Sequence, residues 1–141
     1  MPGSATDYLR QRVLSHSLAF GAYTAPTNIY VGLSTTQPAG TTPGLEVATG
    51  ATGYVRQRAT MALSAGRTDL AVNTATMEYP PATTNWGAIG YFELWDAVTG
   101  GNRLYWGPLV DPTDGVTPIT RNINAGDILR LSANQLSVQA I

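Results

Sequence analysis

The sequence predicts an all-β protein, an antiparallel β-sandwich or jelly-roll-like domain of about eight strands with one N-terminal α-helix. The composition is one reason: nineteen threonines, fifteen glycines and nine prolines among 141 residues favour strands and turns over long helices. A second is that apolar residues alternate with period two after residue 26. No internal repeat is visible. We therefore expect a single domain over residues 1–141.

A helix is predicted over residues 4–21. Ser4 is a candidate N-cap and Asp7 follows three residues later, as in a capping box. Gly21 is a natural C-terminal stop. The apolar residues at helical spacing are Leu9, Val13 and Phe20. Such a short helix needs a sheet or a neighbouring subunit to pack against, so we expect Leu9 and Val13 at an interface.

The first predicted strand covers Asn28 to Leu33, where Ile29, Val31 and Leu33 alternate. Residues 34–53 follow and are mostly Thr, Gly, Pro and Ala, which predicts a long loop. Loops of this length are uncommon in compact domains. The loop is either a contact arm that orders on a partner or a tolerated surface excursion, and the sequence favours the second.

The next two strands are predicted over Tyr54 to Leu63 and Leu70 to Tyr79. Arg56 and Arg58 share one face of the first of them. Such a pair can bind a carboxylate or phosphate bidentately, although it more often solvates the outer face of an edge strand. We favour the solvated face and keep both arginines as interface candidates.

A β-hairpin is predicted from Ile89 to Trp95 and from Leu104 to Leu109, with its turn at residues 96–102. The first of these strands is apolar on both faces, which is typical of a central strand or of an oligomer contact. Glu93 is the exception, because a carboxylate there must be paired unless it lies near the surface. Arg103, across the turn, is its candidate partner.

Three further strands are predicted after the hairpin, over residues 116–123, 128–131 and 135–141. Asp111 and Asp114 precede them in a loop that contains proline and glycine. Their spacing matches no EF-hand, so an Asx-type turn explains them better than a Ca²⁺ site.

Aromatic residues are concentrated between positions 86 and 106. Alternation places Trp95 and Trp106 in the core, whereas Trp86 lies in a loop-like Asn-Trp-Gly context and is the best candidate for an outward anchor. We add Tyr91 and Tyr105 to the interface candidates.

Composition excludes several classes of function. The net charge of -1 gives none of the basic surface that nucleic-acid binding needs. Cysteine is absent, so disulfides and thiolate metal sites are not expected. No apolar run is long enough to cross a bilayer and no signal-peptide pattern is present. We expect no metal, no cofactor and no membrane partner. Charged residues make up only 12%, with no lysine. This suits a protein packed against others in a homo-oligomer such as a dimer or trimer, and it equally suits a threonine-rich β protein in which codon usage replaces lysine with arginine.

No catalytic arrangement is recognisable, so we expect a non-enzymatic protein. His16 is the single histidine and has no cysteine to act with. No phosphate-binding loop, zinc-protease motif or hydrolase elbow occurs. Glu78 and Glu93 could form a glycosidase pair only if the fold brought them together.

The order of several motifs along most of the chain resembles a family of short virion proteins of tailed bacteriophages, often labelled phage tail fibre protein. The motifs are Asp7-Tyr8-Leu9, Tyr23-Thr24-Ala25-Pro26, Ile29-Tyr30-Val31-Gly32-Leu33, Gly53-Tyr54-Val55-Arg56-Gln57, Asn85-Trp86-Gly87, Leu104-Tyr105-Trp106-Gly107 and Asn124-Ala125-Gly126-Asp127. The chain departs from the family pattern at Glu93 and in a longer segment from Asp111 to Pro118.

The resemblance implies a non-enzymatic virion component with a β-sandwich fold, made in the cytoplasm of the host bacterium. Our leading expectation is a capsid decoration, or cement, protein that bridges major capsid subunits. The alternative is a tail-tip or tail-fibre module that binds a host-surface glycan or receptor through Trp86 and neighbouring aromatic residues.

Overall fold

The computed structural model describes residues 3–111, 113–114 and 116–140 and contains one helix and twelve short strands within them. The elements in chain order are β1 (Ser4–Ala5), α1 (Asp7–Ser17), β2 (Ile29–Ser34), β3 (Gln57–Ala59), β4 (Met61–Leu63), β5 (Leu70–Asn73), β6 (Met77–Glu78), β7 (Gly87–Ile89), β8 (Tyr91–Trp95), β9 (Arg103–Pro108), β10 (Arg121–Ile123), β11 (Arg130–Leu131) and β12 (Ser137–Gln139). The all-β class with an N-terminal helix is confirmed.

The largest sheet has five antiparallel strands in the order β1-β9-β8-β2-β3. Its centre is the predicted hairpin, β8 and β9, with β2 on the other side of β8. Strand β8 is therefore paired along both edges, which accounts for its apolar sequence.

Three smaller antiparallel sheets complete the fold, in the orders β12-β5-β4, β10-β7 and β11-β6. Their apolar side chains share one core with the inner face of the large sheet. Val31, Phe92 and Leu94 come from the large sheet, while Ile89 and Leu131 come from two of the small ones. Burial of this shared apolar surface holds the sheets together.

Helix α1 begins three residues later than predicted. Ser4 pairs with Trp106 in β1, and the N-cap is Thr6, whose side chain accepts a hydrogen bond from the Leu9 backbone N–H. The prediction of Ser4 as the N-cap was wrong because Ser4 and Ala5 pair with the edge of β9, and the helix can begin only after this short strand. The helix ends at Ser17, before the predicted stop, and Ala19 adopts a positive φ of 66°.

The predicted strands are divided, so twelve short strands replace about eight longer ones. Thr60 separates β3 from β4, and these two strands belong to different sheets. Gly90 similarly separates β7 from β8. Alternation continues through both breaks, so periodicity alone could not reveal that the chain changes sheets.

The loop predicted over residues 34–53 folds back onto its own sheet. Ser34 forms a bridge with Glu46, and the Val47 N–H donates to the Leu33 carbonyl oxygen at 3.1 Å. Val47 is buried in the core. Within this chain the segment is thus an integral cover of the large sheet.

No helix in the described part of the chain has the length and apolar character needed to cross a membrane.

Candidate functional site

The outer face of the large sheet carries a buried polar cluster, which we define as Ser34, Glu46, Arg56, Glu93 and Arg103. Strand β8 explains its position, because Phe92 and Leu94 point into the core while Glu93 points to the opposite face. The 34–53 segment covers that face, so side chains on the outside of the sheet are nevertheless enclosed.

Glu93 and Arg103 form the first half of the polar cluster, as the sequence predicts. Glu93 is 0% exposed, and its Oε2 lies 3.1 Å from Arg103 Nη1 in an ion pair without well-aligned hydrogen-bond geometry. The Ser34 hydroxyl donates to Glu93 Oε1, and Arg103 Nη2 donates to the carbonyl oxygen of Ala39 in the covering segment. Burial raises the pKa of Glu93 and lowers that of Arg103, while each partner opposes the other's shift.

Glu46 and Arg56 form the second half. Arg56 Nε and Nη2 donate to the two carboxylate oxygens of Glu46 at 2.8 and 2.9 Å, a bidentate pair. Arg56 Nη1 also donates to the carbonyl oxygens of Ala97 and Gly100 in the hairpin turn, at 3.0 and 2.9 Å. The preference for a solvated Arg56 was wrong: it is buried and joins the covering segment to the hairpin. Arg58, two residues on, is exposed.

Gly32 makes room for this second pair. A Cβ at residue 32 would lie 2.8 Å from Glu46 Oε2 and 3.2 Å from Trp95 Nε1. Glycine is therefore required in the middle of β2 for Glu46 to approach the sheet closely.

Trp86 is buried, so the prediction of an outward anchor was wrong. It is 6% exposed, its Nε1 donates to the Thr52 carbonyl oxygen at 2.9 Å, and its ring packs edge-on against Tyr54 and Tyr79. The hydroxyl of Tyr54 donates to Glu46 Oε2 at 2.6 Å, and burial raises the pKa of Tyr54. The loop-like sequence around Trp86 did not reveal that residues 51–54 return to cover it.

Trp95 and Trp106, predicted in the core, are only half-buried. Both side chains follow Glu93 onto the outer side of the large sheet, since Trp95 lies two residues along β8 and Trp106 pairs with Glu93 across β9. The Arg56 guanidinium lies 3.9 Å from the centre of the Trp95 ring, a cation–π contact.

The remaining interface candidates have different environments. Leu9 lies on the inward side of α1, where it packs against Ala5 and Leu104. It is buried, so it contributes to folding and offers no free surface. Val13, Tyr91 and Tyr105 are half-buried. Their role as contacts stays a prediction, as does that of Arg58.

A groove of about 380 Å³ opens beside the polar cluster. The residues that line it with an aromatic ring or a hydrogen-bonding side chain include Asp7, Tyr8, Thr41, Trp95, Asn102 and Arg103. The start of α1, the covering segment, the end of β8 and the hairpin turn all contribute to it.

Among the residues that the structure describes, the carboxylates form no catalytic arrangement. Glu93 is sealed from solvent and paired, so it cannot serve with Glu78 in a glycosidase pair. Glu78 lies on β6 and pairs with Arg130 at 2.6 Å. His16 accepts a hydrogen bond from the Tyr23 N–H through Nδ1. Within the described residues, no three acidic or histidine side chains are grouped so as to hold a metal ion.

Asp111 and Asp114 form the predicted Asx-type turns. Asp111 Oδ1 accepts from the Thr113 N–H at 2.9 Å, and Asp114 Oδ1 accepts from the Val116 and Thr117 N–H groups at 2.9 and 3.0 Å. The Thr117 hydroxyl also donates to Asp114 Oδ2 at 2.5 Å. This bond contributes most, and together with the two N–H bonds to Asp114 it lowers the pKa of Asp114 to about 2.

A protein-family model described as "Podophage GP4 fiber I protein gp80" matches residues 4–139, from β1 through β12. The chain belongs to this family. The resemblance to virion proteins of tailed bacteriophages is confirmed, and the match narrows it to a family of short-tailed phages. The chain is a phage structural protein and a component of the virion. No curated protein matches the chain.

Sequence reasoning missed Ser34, Glu46 and Gly32 as parts of the site. Glu46 is the only acidic residue between positions 34 and 53, in a segment otherwise without charge. An isolated charge in a long uncharged loop was therefore the available signal that Arg56 had a partner.

Proposed function

We propose that this chain is a non-enzymatic structural subunit of a fibre on a short-tailed phage virion, held there by protein–protein contacts. The observation that carries the proposal is the match over residues 4–139 to a family whose description names a fibre protein. Capsid decoration, our leading expectation from the sequence, has no such support. The glycan-binding alternative through Trp86 is contradicted, because that side chain is buried.

The exposed end of α1 supports an assembly role. Leu14 near the end of α1, and Leu18 and Phe20 just beyond it, are 55%, 63% and 69% exposed, and Val13 lines a surface depression together with Leu14. Exposed apolar side chains that follow one another along a short segment are more often part of an interaction site than single scattered ones. The proposed partners are neighbouring copies of this chain, in a dimer or trimer, and other proteins of the fibre.

Electron microscopy of the virion tests the location. Gold-labelled antibodies against the purified chain should decorate the fibres and leave the capsid lattice bare. Label spread over the capsid would contradict the fibre proposal and favour decoration.

Light scattering of the isolated protein tests the contact surface. Wild type should form a dimer or trimer, and the L14S/L18S/F20S variant should shift toward monomer. A V98S/I128S variant, which also removes exposed apolar side chains, is the matched control and should keep the oligomer. An unchanged oligomer in the triple variant would show that this end of α1 is not the contact.

A further inference from the structure

We propose that the outer edge of β4 pairs with β4 of a second copy of this chain, antiparallel and across a two-fold axis that passes beside Ala62. Such a contact is isologous, because both copies use the same surface. It rests on the proposed function only in requiring copies of the chain close together, as in a fibre. It uses residues other than the exposed end of α1, so it is a second contact surface.

Strand β4 lies at the end of the sheet β12-β5-β4. Its pairing with β5 continues past both bounds of the strand. The Thr74 N–H donates to the Thr60 carbonyl oxygen at 2.9 Å, and the Ser64 N–H donates to the Leu70 carbonyl oxygen at 2.8 Å. The chain is therefore extended over residues 60–64, which gives this sheet edge the length of an ordinary strand.

The register with β5 shows which backbone groups of β4 point outward. Ser64 is in a hydrogen-bonded pair with β5, and hydrogen-bonded and non-hydrogen-bonded pairs alternate along antiparallel strands. Ala62 therefore also points its N–H and C=O toward β5, whereas Met61 and Leu63 point theirs away from it. No strand in the described part of the chain pairs with this outer side of β4.

The sequence of β4 does not protect this edge. Exposed sheet edges in monomeric proteins are usually protected by charged side chains, by proline or by a covering segment. Residues 59–66 contain neither a charged residue nor proline, and Leu63 is 62% exposed. Charged residues do stand on four other strands that end a sheet, β3, β6, β10 and β11, namely Arg58, Glu78, Arg121 and Arg130.

The edge of β4 is complementary to itself. With the two-fold axis beside Ala62, Met61 of one copy lies opposite Leu63 of the other, and both such pairs can exchange N–H···O=C hydrogen bonds. The two Ala62 residues then form the non-hydrogen-bonded pair between them, where side chains come closest. Alanine is small and exposed at this position, so its methyl group allows the approach.

The contact is too small to hold an isolated dimer. A pair of short strands buries much less than the roughly 1,200 Å² typical of the smallest stable complexes. In a fibre, other contacts keep the copies close, and the resulting effective concentration allows a weak contact to form. Edge pairing therefore adds to the contact at α1 and does not replace it.

Disulfide trapping of the full chain tests the pairing, because the chain contains no cysteine of its own. Ala62→Cys places two thiols beside the two-fold axis, with a Cα separation of about 4.5 Å that a disulfide can span. With oxidised glutathione as the oxidant, this variant should form a covalent dimer. Ala125→Cys, at an exposed alanine in the turn after β10, is the matched control. The Ala62→Cys dimer should form about tenfold faster, because pairing raises the local thiol concentration.

Two further variants test the register and the backbone bonds. Thr60 would face Ser64 of the second copy, so the thiols of Thr60→Cys alone would be roughly 13 Å apart and should react no faster than those of Ala125→Cys. Leu63→Pro, added to Ala62→Cys, removes an outward N–H without removing a bond to β5. It should slow trapping to the control rate with an unchanged circular dichroism spectrum.

Three results would each overturn the proposal. They are an Ala62→Cys rate no greater than that of Ala125→Cys, equally fast trapping through Thr60→Cys, and an Ala62→Cys rate that Leu63→Pro leaves unchanged. The light scattering of L14S/L18S/F20S and the antibody labelling do not involve β4, so a failure of the fibre proposal is distinguishable from a failure of edge pairing.

Discussion

Removing the cation from the buried pair, by Arg103→Met, should strongly destabilise the protein. Methionine keeps much of the arginine stem but leaves the Glu93 carboxylate enclosed at 0% exposure with only Ser34 as a polar side-chain partner. Breaking a buried pair in this way typically costs about 3–5 kcal/mol. The total stability of a domain is about 5–15 kcal/mol, so the loss is a large share of it.

The assay is equilibrium unfolding in urea. With an m-value of about 2 kcal/mol/M, a loss of about 4 kcal/mol lowers the unfolding midpoint by roughly 2 M. Arg58→Met removes an exposed arginine from β3 and is the matched control, with an expected change within about 0.5 kcal/mol.

The pH dependence gives the prediction a second readout. Burial already raises the pKa of Glu93, and loss of Arg103 removes the charge that opposes this shift. A carboxyl with a raised folded-state pKa contributes stability that is present below its unfolded pKa and is lost as pH rises through the folded one. The Arg103→Met variant should therefore approach wild type at acidic pH and fall furthest behind it above neutrality.

A double variant separates the pair from its surroundings. Glu93→Leu combined with Arg103→Met removes both charges and should recover most of the lost stability, because apolar replacements of buried pairs are often neutral or stabilising. If Arg103→Met alone lowers the free energy of unfolding by less than about 1 kcal/mol at every pH, the reasoning is refuted, because an unpaired buried carboxylate should destabilise the fold by more than that.

Three further predictions concern the covering segment and the loops. Gly32→Ala should cost about 1–3 kcal/mol in urea unfolding because its Cβ would press on Glu46, whereas Gly90→Ala, whose nearest new contact is 3.7 Å away, should be nearly neutral; equal effects would contradict the close approach. Trp86→Phe should cost about 1–3 kcal/mol by removing the donor to a loop carbonyl group, and an unchanged midpoint would argue against burial. Nuclear magnetic resonance should give the Asp114 carboxyl a pKa of about 2, so that it stays ionised at acid pH where ordinary aspartates are protonated. A pKa of about 4 would contradict its hydrogen bonds.

The predicted strand positions succeeded where alternation was strong. Ile29–Ser34, Tyr91–Trp95 and Arg103–Pro108 lie within two residues of their predicted bounds, because they pair along a continuous sheet. Strand breaks at Thr60 and Gly90 were missed, since period two continues across a change of sheet. The pairing of Glu93 with Arg103 was predictable because a carboxylate on a buried strand requires a partner and only one cation lies across the turn.

Burial of the aromatic residues depended on contacts that the sequence does not contain. Trp86 is buried because residues 51–54, more than thirty positions earlier, cover it, and Trp95 is half-exposed because its strand face is the outer one. Alternation shows that two faces exist but does not say which one meets the core.

The sequence by itself determined the all-β class, the N-terminal helix, the central hairpin and the phage virion family, since local periodicity and motif order carry that information. Tertiary structure alone decided that the 34–53 segment covers the sheet, that Glu46 binds Arg56, and that the groove opens at Trp95. The physical reason is that these features rest on contacts between distant segments, where enclosure by the fold sets both the charge pairing and the exposure of each ring.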